Sequence, residues 1–168
     1  PTTVMAETGT DVLLGSGKIA MLTQGSWMVP AFKENEYIAA NCDVAVLPKD
    51  AATGKRVSLY NGLGWAAAAN TDNPEGAWAL IEWFGTKDNQ YKQAQLGVTM
   101  AAYEGVSDEW KNNTDKFNLQ PYLDMLNGDL VFRPSTRATL TWWNMAVNDF
   151  KEAWNGNTTM ADACAKAA

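Results

Sequence analysis

Gly15-Ser16-Gly17-Lys18-Ile19-Ala20-Met21-Leu22-Thr23-Gln24-Gly25-Ser26-Trp27 is the stretch on which the reading of the whole chain turns. Lys18 to Leu22 is a short apolar run of strand length, and Gln24-Gly25-Ser26 is a turn that ends it. Trp27 then stands just past the C-terminal end of a strand, where open α/β sheets hold their ligands. The opening Gly15-Ser16-Gly17-Lys18 is similar to the tail of a phosphate loop. Ile19, however, replaces the Ser or Thr such a loop requires, and Val12 replaces its first Gly. A nucleotide site fails on those two positions.

Outward from this stretch, Cys42 to Leu47 predicts a second strand, stopped by Pro48. Asp50 to Gly54 reads as a loop, and Arg56 to Tyr60 as a third extended segment. Asn61-Gly62-Leu63-Gly64 is a glycine-rich break whose two glycines suit φ > 0, and Trp65 to Ala69 reads as extended again. From residue 73 the period becomes helical. Asn73 is a good N-cap with Pro74 at the first helical position, and Ala77, Leu80, Ile81 and Phe84 predict one buried face. Gly85 stops this helix, Thr86 starts the next, and Gly97 closes it. Ser107 predicts the cap of a short helix, and Leu119 to Leu126 a further one ended by Asn127-Gly128. The longest helix is expected from about Ser135 to Asn155, with Leu140, Trp143, Val147, Phe150 and Trp154 on one stripe. Gly156 ends it, and Thr159-x-x-Asp162 predicts a capping box for a last helix. Strands before residue 70 and helices after it fit a layered α/β or α+β domain.

Charge and composition narrow the function. Thirteen Lys and Arg against nineteen Asp and Glu give a net charge of −6, and the basic residues are scattered, so no clustered positive face for nucleic acid is visible. No apolar run approaches the roughly 18 residues of a membrane span. The absence of His removes the commonest general base and the commonest zinc ligand, and neither a metal nor a cofactor is implied. Eight Trp in 168 residues demand large flat apolar surfaces, in a core or in a site. Cys42 and Cys164 match no metal or redox spacing; one disulfide and two separate thiols are both open. Pro1-Thr2-Thr3 looks like the middle of a longer chain.

The chain resembles the C-terminal part of family 1 extracellular solute-binding proteins, the maltose-binding-protein-like group. The likeness is carried in order by Gly15 to Met21, by Gly25-Ser26-Trp27, by Asp43-Val44-Ala45-Val46-Leu47-Pro48, by Asn61-Gly62-Leu63-Gly64-Trp65, and by Thr141-Trp142-Trp143 with the long helix and capped final helix. The resemblance implies a type II periplasmic-binding α/β fold, here as a C-terminal fragment: residues 1–62 and 115–168 in the C-lobe, and 63–114 making a return excursion to pack on the N-lobe. It implies capture of a sugar outside the cell for an ABC importer. The permease subunits would be the protein partners, and a membrane anchor would lie in the N-terminal part, as in a lipoprotein.

Sugar rings present apolar C–H faces rimmed by hydroxyls, and aromatic plates with a few polar groups suit them. The resemblance places ligand contacts at Trp27, at Trp143 and its neighbour Trp142, and at Asn61 and Trp65 on the crossing segment. Each has a plainer reading. Trp27 could plug the lobe base, Trp143 shares a helix stripe with Val147 and Phe150, and Asn61 could belong to an ordinary loop. Arg133 and Arg137 bracket Pro134-Ser135-Thr136, and an Arg fork at Arg137 suits sugar hydroxyls or a carboxylate. Trp78, Trp83, Trp110 and Trp154 are expected in the core or in lobe packing. No Gly-x-Ser-x-Gly elbow is present, and any catalytic triad would lack its His, so a binding protein is expected rather than an enzyme. A Trp-rich glycoside hydrolase fragment is the alternative and would need two carboxylates about 5–10 Å apart. A carbohydrate-binding module is usually all-β, and the helices after residue 73 oppose it.

Overall fold

The computed structural model describes residues 9–167; the Pro1-Thr2-Thr3 start lies outside them. The elements in chain order are α1 (Thr10–Gly15), a 3-10 turn (Ser26–Met28), α2 (Val29–Glu34), α3 (Glu36–Asn41), β1 (Val57–Tyr60), α4 (Pro74–Gly85), α5 (Lys87–Gln95), α6 (Ser107–Lys111), α7 (Gln120–Leu126), β2 (Asp129–Phe132), α8 (Thr139–Trp154) and α9 (Met160–Ala167). Helices thus accompany one small parallel sheet, a mixed α/β arrangement.

The expected strand at Lys18–Leu22 does not form. Gly17 takes the left-handed conformation at φ 69°, its N–H bonds to Leu14 O (3.0 Å), and the Lys18 N–H reaches back to Leu13 O (3.0 Å). This paired closure is a Schellman terminator for α1, which only a residue free of Cβ adopts cheaply. Gly97 closes α5 in the same way at φ 71°. By contrast, Gly62 and Gly64 are not among the positive-φ glycines, so the crossing segment does not need them for that reason.

Ile19 and Leu22 still pack on the core, as do Cys42 and Val44 in the second expected strand. Cys42 to Val46 even keeps alternate burial. Neither segment has a ladder partner among the described residues, and without a neighbour to take its N–H and C=O groups an extended run is no strand. The third expectation holds: Val57–Tyr60 is a strand. Its partner, Asp129–Phe132, is a strand where the sequence predicts no element. The two run parallel with Val57 opposite Asp129 and Tyr60 opposite Phe132, whose rings meet edge to face at 5.4 Å. The connection between them spans α4 to α7, since parallel strands require a long crossover.

The main core gathers Leu14, Val29, Ile38, Ala94, Val106, Trp110, Phe117 and Leu119. Ala94, Val106 and Trp110 come from within the 63–114 span, yet they share this interior with Leu14, Val29 and Ile38. Burying that much apolar surface is the main term holding these segments together. Trp110 is fully buried, as expected of a core Trp, whereas Trp78, Trp83 and Trp154 are exposed, so the core reading fails for these three.

Two other helical stripes also differ from their reading. Helix α4 is capped as expected, with Asn73 Oδ1 accepting from the Gly76 N–H (2.9 Å), but no residue of it is fully buried. Helix α8 begins at Thr139 rather than Ser135, and its one buried residue is Ala146 instead of the large side chains. It packs on α9, which contributes the fully buried Ala163; small residues let helix backbones approach closely. The Lys166–Asp149 ion pair (2.9 Å) ties the two together, and the Thr159–Asp162 capping box forms as read. Ser107 is the first helical residue of α6 rather than its cap. Cys42 and Cys164 are both free thiols.

Candidate functional site

Trp27 sits on the 3-10 turn closed by the Met28 N–H on Gly25 O (3.2 Å). Its indole folds back over Gly25, so closely that a Cβ on that residue would collide with the six-membered ring. Gly25 is therefore required for close approach, with its backbone extended at φ −83°. The turn is held from below. Gln24 Oε1 accepts from the Gly25 N–H (2.9 Å), and the Tyr122 hydroxyl donates to Gln24 O (3.5 Å). Tyr122 in turn abuts the buried Trp110 edge to face (5.8 Å), and burial pushes its phenol pKa up. One indole face is backed by the backbone while the residue stays 60% exposed, the form of a stacking plate.

The parallel strands build a second locus. Asn61 and Arg133 are the first residues beyond β1 and β2, and the paired Tyr60 and Phe132 put them at the same sheet end. Neighbouring strands lie about 4.8 Å apart, so the two residues leave the C-terminal edge side by side. That is the edge at which α/β sheets place ligands. The Arg133 guanidinium carbon stands 4.8 Å from the Trp143 ring centre, a cation–π contact. Trp142 meets Trp143 edge to face at 5.7 Å. The Trp142 indole N–H is buried without a hydrogen-bond partner, while Trp143 is 38% exposed. Arg137, exposed, precedes α8 on the same connection.

Of the six residues read from sequence, Asn61 follows β1, Arg137 lies on the connection from β2, and Trp142 and Trp143 stand in the first turns of α8, with the Arg133 contact joining Trp143 to the strand end. Trp65 belongs elsewhere. It stacks flat on Phe84 of α4, 4.1 Å between centroids at 12°, and Trp83 meets Phe84 at 5.0 Å. No ring contact joins Trp27, Trp65 and Trp143 to one another among the described residues. Two shallow recesses lie apart from all six: one of about 320 Å³ between α1, α2 and α3, and one of about 460 Å³ beside Arg56, Asp124 and Asp129. Neither Trp27 nor Trp143 is sealed in an interior. Sequence reasoning favoured Arg137 over Arg133 and passed over Gln24 and Tyr122. The available signal for Arg133 was its place directly after the apolar Leu130-Val131-Phe132.

Among the described residues no group of His, Cys, Asp and Glu could hold a metal ion, and no helix is long and apolar enough to cross a membrane. No curated protein matches the chain. A family model described as bacterial extracellular solute-binding protein matches residues 2–118, more than two-thirds of the sequence. Trp27, Asn61 and Trp65 fall inside the match; Arg133, Arg137, Trp142 and Trp143 lie beyond it. With well over half its length matched, the chain belongs to the bacterial extracellular solute-binding proteins.

Proposed function

We propose that the protein captures a sugar or oligosaccharide and delivers it to the transmembrane subunits of an ABC importer, without chemistry on the solute. The observation that carries this reading is the exposure of Trp27 and Trp143 on supported plates, one over a glycine and one beside strand ends. An exposed indole face keeps apolar area in water that a sugar ring's C–H face would cover. Asn61 and Arg137 supply polar groups for hydroxyls, and Trp65 offers a further plate.

The same reading takes a type II, two-lobed architecture of the maltose-binding-protein-like kind, of which this sequence is the C-terminal part. Residues 1–62 and 115–168 form most of one lobe, and 63–114 carries an excursion into the other. The uncovered apolar face of α4, with Trp65 on it, supports the excursion. Ala94, Val106 and Trp110, buried with Leu14 and Ile38, count against extending it past about residue 86. A ligand bridging both lobes would favour the closed population, which is the form a permease reads. Attachment to the membrane would come from an N-terminal anchor.

Calorimetric titration of the full-length protein with oligosaccharides tests the function. Saturable heat with unchanged sugar recovered afterwards is expected. Recovery of cleaved product would reject binding in favour of hydrolysis.

A further inference from the structure

The connection from β2 into α8 carries cations and no carboxylate. The chain carries nineteen acidic residues, yet none occurs from Leu130 to Asn148, a stretch that holds Arg133 and Arg137. Among the described residues, the ion pairs involve Lys55, Lys111 and Lys166, and neither Arg133 nor Arg137 makes an ion pair or a side-chain hydrogen bond. Arg133 is nevertheless held in place by its contact with Trp143 at 4.8 Å. Stacking restrains the guanidinium while leaving its five N–H donors unused.

Such a set is rich in donors and poor in carboxylate acceptors. Neutral sugar hydroxyls both donate and accept, and sites for them need acceptors as well. A carboxylate only accepts, and it matches a guanidinium in geometry. We propose that the solute carries a carboxylate: a uronic acid or an acidic oligosaccharide, its acid group held by Arg133 with Arg137 and its ring set against Trp143. Asn61, beside Arg133 at the strand ends, then serves the remaining hydroxyls. This deepens the sugar-binding reading and rests on it.

Matched pairs test it: glucuronate against glucose, galacturonate against galactose, and the corresponding acidic and neutral disaccharides, each titrated into the full-length protein at pH 7. For at least one pair the acidic member should bind on the order of tenfold more tightly or better, the scale of a charge-assisted hydrogen-bond pair. Arg133→Gln should bring that ratio close to one, Arg133→Lys should keep part of it, and circular dichroism should show both variants folded. Equal or tighter binding of the neutral members overturns the acidic-solute inference and leaves sugar capture standing. A preference that survives both Arg133→Gln and Arg137→Gln overturns the site. Binding of no sugar in either series overturns the inference and the sugar reading together.

Discussion

Arg133 lies 4.8 Å over the ring of Trp143, and through that contact the end of a parallel strand is joined to the first turns of the longest helix. The relationship makes Trp143 more than a member of a helix stripe. Its plate is oriented by a cation at the sheet edge where ligands collect. Replacing Trp143 by Ala should weaken solute binding roughly 10- to 100-fold, the loss of about 1–3 kcal/mol of aromatic contact. Because Trp143 is partly exposed, the melting temperature should move little, and calorimetry beside a thermal melt separates the two effects.

Gly25 makes a different prediction, since its backbone is extended and tolerates any residue, while the ring of Trp27 occupies the place of its Cβ. Gly25→Ala should leave folding almost unchanged, because an exposed side chain can swing away. The same change should weaken binding in the direction of Trp27→Ala by a smaller factor. A melt within about 2 °C of the parent together with a shifted binding isotherm is the expected pair of results.

The main core should respond in the opposite way. Trp110 is fully buried among Leu14, Val29, Ile38 and Leu119, and Trp110→Ala should cost about 3–5 kcal/mol in denaturant unfolding. Trp154, exposed on α8, should cost far less, within about 0.5–1 kcal/mol on the same assay.

How much of this was legible beforehand depends on range. The Asn73 cap and the Thr159–Asp162 box each need only residues three apart, so the sequence alone located them, and both form. Gly17 shows a nearby failure. Its neighbours have strand composition, but the Gly17 and Lys18 N–H groups turn back on Leu14 and Leu13, and the helix terminator wins. Strand β2 was hidden for a long-range reason: four residues after a turn become a strand only because Val57–Tyr60 lies alongside, 72 positions earlier in register. The site followed the same rule. Trp27 and Trp143 could be singled out as flat surfaces, whereas the choice of Arg133 over Arg137 depends on a contact that no local pattern encodes.

Lys166 and Asp149 give a pH prediction. The hydrogen bond and charge of Asp149 raise the Lys166 pKa above its ordinary 10.5. A group raised on folding contributes stability that is complete below its unfolded pKa and disappears as pH climbs through the folded one. Asp149→Asn should therefore melt lower than the parent from pH 7 to 9, and the two melting curves should converge as pH climbs past the raised Lys166 pKa. Both ends of the pair are near solvent, so added salt should also narrow the gap.

Intrinsic fluorescence of the full-length protein during sugar titration, run in parallel on the parent, Trp27→Phe and Trp143→Phe, tests the central claim most directly. The account predicts a saturable change in the parent, with each variant losing part of the signal and part of the affinity. Binding that keeps its full signal and strength in both variants would contradict it.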